Sequence, residues 1–277
     1  MNTGGDRAAT GRRPPSKWLC HAVGLLSVGF SLTAEDPKSD EKKPEPPKPP
    51  QIALVLPLGV EAGSSNRLTI RGQFLTNSVV VTIRGLPTPP EVKVYESGEA
   101  PKIEGQDAGR VGDQRLEIGF TLAADTPTGT NIALVVTSPD GESKPFALFV
   151  GSAGQFSEEH EPNNGFRTAA APPPLGKILR GALESPADVD VIRFSLKSGE
   201  TLRAEVWAAR LGATLDSLLT IYDRRGATLK SNDDRPELGR DSFLEFVAAA
   251  EGEYFLAISG VTEKAGSGSV YLLVVTQ

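Results

Sequence analysis

The chain has 277 residues, a formal net charge of −6, and many turn-forming residues, with 29 glycines and 22 prolines. An acidic surface disfavours nucleic acid and anionic membranes as partners. The single cysteine, Cys20, excludes an intrachain disulfide and a multi-cysteine metal site.

The N-terminus reads as a signal peptide over residues 1–34. Arg7, Arg12, Arg13 and Lys17 form a basic start, an apolar run follows from Trp18 to Phe30, and small residues come next at Ser31, Thr33 and Ala34. The run falls short of the roughly 20 apolar residues needed to span a bilayer; an uncleaved anchor is the alternative. Arg12-Arg13 is followed by Pro14-Pro15 rather than bulky residues, which argues against twin-arginine export. Cleavage near Ala34 removes Cys20, four basic residues and one acidic residue, leaving a cysteine-free chain that is more acidic still. No membrane insertion of the mature chain is expected, and its location is secreted, periplasmic or at the cell surface. Residues 35–50 are almost wholly Glu, Asp, Lys and Pro, a composition that cannot bury a core and reads as a disordered, extended linker.

The rest shows short apolar alternations broken by Gly, Pro, Asn and Asp, without long helical periodicity, so the fold class is all-β: two β-sandwich domains in tandem. Over residues 51–152, strands are expected near Ile52–Leu56, Arg67–Arg71, Val79–Arg84, Val92–Tyr95, Arg115–Leu122, Asn131–Thr137 and Phe146–Val150, with a tight turn at Pro139-Asp140-Gly141. Gly98 to Gly112 is Gly-rich and charged and is expected as an exposed loop. Pro57-Leu58-Gly59-Val60 with Gly63, Leu68-Thr69-Ile70-Arg71-Gly72, Phe74-Leu75, Thr128-Gly129 and Val136-Thr137-Ser138-Pro139-Asp140-Gly141 make this block resemble the IPT/TIG group of immunoglobulin-like domains. That resemblance implies a seven-stranded sandwich acting as a structural or binding module, with no catalytic residues.

Over residues 155–277, strands are expected at Lys177–Leu183, Asp190–Leu196, Thr201–Ala208, Ser217–Tyr222, Phe243–Val247, Gly252–Ser259 and Ser269–Thr276. Phe194, Leu202, Val206, Leu219, Ile221, Leu244, Phe246, Tyr254, Leu256, Ile258, Tyr271 and Leu273 supply an alternating inner face. Ahead of these strands lies Glu158-Glu159-His160-Glu161-Pro162-Asn163-Asn164. In extended chain Glu159, Glu161 and Asn163 share one face, and carboxylates 4 Å apart repel by about 1 kcal/mol even in water. Such a cluster is either solvated, with Pro-Asn-Asn simply turning the chain, or satisfied by a cation; calcium prefers six to eight oxygen ligands. Asp188 and Asp190, two residues apart, could complete the set across a sheet edge.

The block resembles the bacterial pre-peptidase C-terminal (PPC) domain, a β-sandwich known as an appendage of secreted peptidases. The residues that carry this are Glu159-His160-Glu161-Pro162-Asn163-Asn164, Asp188-Val189-Asp190 with Phe194, Gly199-Glu200, Leu215-Asp216-Ser217, Ile221-Tyr222-Asp223, Gly226, Asn232-Asp233-Asp234, Asp241-Ser242, Gly252-Glu253-Tyr254-Phe255-Leu256 and Tyr271-Leu272-Leu273-Val274. The related collagen-binding domains of clostridial collagenases bind calcium through such acidic segments. The resemblance therefore implies calcium at Glu159, Glu161, Asn163, Asn164, Asp188 and Asp190, and Asn164, where a variant has aspartate, weakens the site.

Other chemistry is weaker. His160-Glu161 begins like a zinc-protease H-E-x-x-H, but Asn164 stands in the fifth position and Pro162 interrupts the helix. No Gly-x-Ser-x-Gly elbow accompanies His160. Asn232-Asp233-Asp234 with Asp241 reads as polar turn residues capping a hairpin, and Asp216 as a turn residue or structural hydrogen-bond acceptor rather than a ligand. Trp207 reads as core, with an exposed aromatic patch as the alternative. The expected function is a secreted non-catalytic binding protein, not an enzyme, whose inter-domain junction calcium stiffens and whose partner is an extracellular protein or glycan. An accessory or remnant of a secreted peptidase system and a structural envelope or matrix protein are the alternatives.

Overall fold

In the computed structural model, residues 46–75, 79–103, 106–185, 187–237, 239–262 and 268–277 are described. The expected signal peptide and residues 35–45 of the linker lie outside the described residues.

The fold is all-β. In the first sandwich the strands are β1 (Gln51–Leu56), β2 (Val60–Glu61), β3 (Ser65–Gln73), β4 (Val80–Arg84), β5 (Lys93–Glu99), β6 (Gln114–Thr121), β7 (Gly129–Ser138), β8 (Gly141–Glu142) and β9 (Phe146–Gly151). They form one sheet in the order β1-β3-β6-β5 and another in the order β2-β9-β7-β4, with β8 closing a hairpin on β7. Period-two burial decides the faces: along β3, Asn66, Leu68 and Ile70 are buried while Ser65 and Arg67 are exposed. Leu68, Ile70, Ile83, Leu116, Ile118, Leu134 and Leu148 fill the space between the sheets.

The second sandwich contains β10 (Phe156–Glu158), β11 (Ile178–Ala182), β12 (Asp190–Leu196), β13 (Thr201–Trp207), β14 (Ser217–Asp223), β15 (Thr228–Asn232), β16 (Phe243–Val247), β17 (Gly252–Gly260) and β18 (Val270–Thr276). One sheet runs β10-β11-β18-β13-β16 and the other β12-β17-β14-β15. The expected inner-face residues all join one cluster, Phe246 as a partly buried member. Each expected strand is present, β12 and β16 with the expected ends and the others with ends shifted. The expected strand list lacks β2, β8, β10 and β15, three of which are too short to show alternation.

One expectation is corrected. Residues 98–112 are not simply an exposed loop: β5 extends to Glu99, a single helical turn spans Ala108–Val111, and Ile103 and Val111 are buried. The buried Arg71 side chain holds this excursion, donating to the carbonyls of Pro101 at 2.8 Å, Val111 at 3.1 Å and Gly112 at 3.0 Å. Burial lowers the Arg71 pKa from its ordinary value. Trp207 is partly buried against the core, as expected, and packs edge-on against Phe149 with ring centroids 5.1 Å apart.

That contact belongs to the junction between the sandwiches. Leu54, Leu58, Phe149 and Phe156 join the core cluster of the second sandwich. The Arg180 guanidinium lies 3.7 Å from the Phe156 ring centroid, donates to the carbonyls of Leu58 and Gly59 at 3.2 Å each, and pairs with Glu158 at 3.0 Å. A methyl group on Gly59 would stand 2.7 Å from Phe156, so this approach requires glycine. Apolar burial therefore closes the junction. Phe156→Ala should cost about 2–4 kcal/mol and split a single urea transition followed by tryptophan fluorescence and circular dichroism into two; coincident transitions in the variant would contradict a junction held this way.

Candidate metal centre

The acidic segment lies where the chain leaves one sheet of the second sandwich for the other. β10 pairs in parallel with β11, and the Glu159 amide continues the ladder by donating to the Arg180 carbonyl at 3.0 Å. The chain then reaches the other sheet: the Val191 amide donates to the Asn163 carbonyl at 3.1 Å, and the Ala170 amide to the Val191 carbonyl at 2.8 Å. Phe166 fastens this crossing by stacking on Phe255, centroids 4.3 Å apart, over the outer face of β17.

Strand parity turns Asp190 inward. It shares a face with Ile192, Phe194 and Leu196, and its residue is 1% exposed. Glu159 enters from the other side, its Oε1 accepting from the Ala182 amide at 2.9 Å. The Tyr271 hydroxyl, on β18, stands between them, 2.9 Å from Glu159 Oε2 and 2.7 Å from Asp190 Oδ2. A phenol carries one proton and donates to only one of them. Tyr271 pairs with Gly181 across β11 and β18, and a methyl group at Gly181 would overlap the tyrosine ring and stand 2.5 Å from Glu159 Oε2.

Oxygens of Glu159, Glu161 and Asp190 all lie within 4.8 Å of one another. Burial, reinforced by the Glu159 charge, pushes the Asp190 carboxyl up to about 8. Burial also raises Glu159, against the hydrogen bonds from Ala182 and Tyr271. Tyr271 is driven well above its ordinary value, chiefly by burial, and stays protonated. Two buried oxygens, Asp190 Oδ1 and Asn163 Oδ1, have no hydrogen-bond partner among the described residues. An orphaned buried acceptor costs about 1–3 kcal/mol. Three convergent carboxylates, with no histidine or cysteine grouped with them among the described residues, suit a hard divalent cation such as calcium.

Of the six residues expected as ligands, the structure gathers Glu159, Glu161 and Asp190 and buries Asn163 beside them, its amide donating to Glu161 Oε2 at 2.8 Å. Asp188 and Asn164 are used differently. Asp188 Oδ1 accepts from Asn164 Nδ2 and from the Val189 amide, both at 2.9 Å, and its Oδ2 from the Glu184 amide at 2.7 Å. This pair clamps the approach to β12. His160 is exposed. Tyr271 and Gly181 are absent from the expected set; an isolated glycine inside a strand pattern is the signal that pointed to a close approach there. In the second acidic cluster, the buried Asp241 accepts from the Ala208 and Ala209 amides at 3.1 and 2.6 Å and pairs with Arg210, and Asn232 accepts from the Phe243 amide at 3.1 Å. Both are structural.

Residues 188–260 match the family model of the bacterial pre-peptidase C-terminal domain. A 105-residue stretch is 37% identical to a probable subtilase-type serine protease of Deinococcus radiodurans, covering 37% of this chain and 14% of that protein. The chain thus spans a small part of the curated relative's length. Solved structures with similarity include the pre-peptidase C-terminal domain of a collagenase from Bacillus anthracis, at 16% identity, 36% of this chain, 88% of that chain and a TM-score of 0.29. The secreted serine protease VesC from Vibrio cholerae matches at 10% identity over 79% of this chain and 47% of that chain, with a TM-score of 0.28.

The raised Asp190 carboxyl sets a sign for stability. Folded protein holds this proton more tightly than unfolded chain, whose aspartates titrate near 3.8, so its stabilising contribution is complete below that value and is lost as pH rises through about 8. In EDTA, the melting temperature should fall between pH 6 and pH 8.5, and Asp190→Asn should flatten that decline. An unchanged decline in the variant would assign it to other groups. Separately, Gly181→Ala should destabilise by about 1–3 kcal/mol through overpacking, read by urea denaturation.

Proposed function

We propose that this is an exported, non-catalytic interaction protein in which calcium closes the second sandwich. In this reading residues 155–277 form a PPC-type module, residues 51–152 an IPT/TIG-like immunoglobulin module, and the two present a binding surface to a protein or glycan outside the cell. The observation that carries the calcium part is the convergence of the Glu159, Glu161 and Asp190 carboxylate oxygens within 4.8 Å of one another, with Asp190 Oδ1 buried and without a hydrogen-bond partner among the described residues. Glu159, Glu161, Asp190 and Asn163 would hold the ion, which neutralises their mutual repulsion. The ion would tie the crossing segment to both sheets at once, because Glu159 and Asp190 belong to opposite ones.

This reading relocates the expected stiffening. The junction is already closed by Phe149, Phe156, Trp207 and Arg180. The acidic group touches it only at its margin, across a cavity of about 180 Å³ lined by Pro57, Leu58, Glu158, Glu159 and Tyr271. Calcium acts first on residues 157–165 and through Glu158 and Arg180 on the neighbouring turn.

A second reading, an accessory or remnant of a secreted peptidase system, draws support from the PPC match and the 37% identity to a subtilase-type protease. Co-purification of a peptidase with the chain from its native source would favour it.

Limited proteolysis of the full chain with calcium and with EDTA tests the calcium part. Cleavage within residues 155–166 should slow at least tenfold with calcium; equal cleavage under both conditions would sink the proposal. Calcium at a hundredfold excess over its Kd should add about 2.7 kcal/mol of stability. In titration calorimetry, Glu161→Gln should weaken calcium binding about tenfold or more.

A further inference from the structure

Asn164 is the one asparagine of the chain that precedes a glycine. An Asn-Gly pair ordinarily marks a tight turn whose glycine takes a positive φ. Gly165 is not among the glycines with positive φ, and among the described residues a methyl group on it would meet nothing nearer than the Thr168 hydroxyl at 3.9 Å. Neither backbone conformation nor packing requires glycine at this position, in contrast to Gly59 and Gly181. What glycine does supply is an unshielded main-chain nitrogen next to an asparagine side chain. That nitrogen can close a five-membered ring on the side-chain carbonyl carbon.

The folded corner holds the side chain away from that reaction. Asn164 is exposed to solvent, but its Nδ2 donates to Asp188 Oδ1 at 2.9 Å and its Oδ1 accepts from the Asn163 amide at 3.2 Å. The Gly165 amide donates to the Asn163 carbonyl at 2.9 Å, and the Gly165 carbonyl accepts from the Thr168 amide at 3.0 Å. Attack on Asn164 Cγ therefore needs a local opening of the crossing segment. That segment is the one the ion would tie to both sheets. Conversion also changes the chemistry of the corner. With oxygen in place of Nδ2, the donor facing Asp188 becomes a second carboxylate at hydrogen-bond distance, and the clamp becomes a like-charge pair.

We propose that Asn164-Gly165 is a self-modification site, where spontaneous deamidation adds a carboxylate to the acidic corner and makes the crossing segment depend on a divalent cation for its order. In the first step the Gly165 nitrogen bonds to Asn164 Cγ and loses its proton to solvent. The Cγ–Nδ2 bond breaks, and the amide nitrogen takes a proton from solvent and leaves as ammonia. One water then opens the succinimide ring at either carbonyl, which leaves aspartate or isoaspartate at position 164. The balance is one water consumed and one ammonia released, with no oxidant or reductant. Control of the rate by calcium rests on the reading above; the reactivity of the pair does not.

The test is peptide mass mapping of the full chain after incubation at mildly alkaline pH in EDTA and in calcium. In EDTA, peptides holding Asn164 should gain one mass unit and yield isoaspartate. Calcium at a hundredfold excess over its Kd should slow that gain about a hundredfold, because opening then requires loss of the ion. Gly165→Ala should suppress the gain on the same timescale while leaving the melting temperature unchanged. Asn164→Asp should lower the melting temperature in EDTA by about 2–4 °C or more and recover it with calcium. Retention of the intact amide in EDTA, or a gain as fast in Gly165→Ala as in the parent chain, would overturn the site. An Asn164→Asp variant as stable in EDTA as the parent chain would overturn the change in cation dependence. Equal rates with and without calcium would uphold the site and overturn calcium as the closure of this segment.

Discussion

Two carboxyl groups and one phenol share a buried corner between the sheets of the second sandwich, and compensation of their charge is the constraint on which this end of the molecule depends. Glu159 and Asp190 both approach the single Tyr271 hydroxyl. Three negative or hydrogen-bonding oxygens cannot be packed this closely, in a low-dielectric corner, without a proton or a cation among them. The raised Asp190 carboxyl and the orphaned oxygens of Asp190 and Asn163 express the same shortage of positive charge. Gly181 permits the arrangement, since a side chain there would occupy the space in which tyrosine and glutamate meet.

The corner also organises the chain path. The crossing from β10 to β12 leaves one sheet and joins the other within a few residues, with Asn163 and Ala170 hydrogen-bonded along β12 and Phe166 packed on Phe255. Asp188 and Asn164 hold the opposite bank. Sandwich closure, normally a matter of apolar packing alone, here has an ionic component at its open end. The junction between sandwiches is of the other kind. Phe149, Phe156 and Trp207 close it by burial, and the Arg180 side chain satisfies the carbonyls of Leu58 and Gly59 that burial would otherwise strand. The two kinds of closure rest on different physics, because apolar packing carries no titratable group whereas the carboxylate corner holds the raised Asp190 carboxyl.

The all-β fold was legible because strand alternation is local: Ile192, Phe194 and Leu196 announce β12 and its inner face without reference to any partner. The same parity carried Asp190 to the interior. Short strands escaped because two or three residues carry no period; β10, with Phe156-Ser157-Glu158, is defined by its pairing to β11 rather than by its own pattern. The excursion after β5 was misjudged because its glycines and charges describe composition, while its order comes from Arg71, more than thirty residues away in sequence.

By itself, then, the sequence determined the order of strands, their inner faces and the acidic segment preceding the second set, since each depends on neighbours one or two residues apart. Tertiary structure decided which members of that segment converge. It separated Glu159, Glu161 and Asp190 from the Asp188–Asn164 clamp, and recruited Tyr271 from a strand more than a hundred residues downstream of Glu159. Desolvation and pairing are properties of a place in space, and sequence spacing carries no record of which distant side chain will share that place.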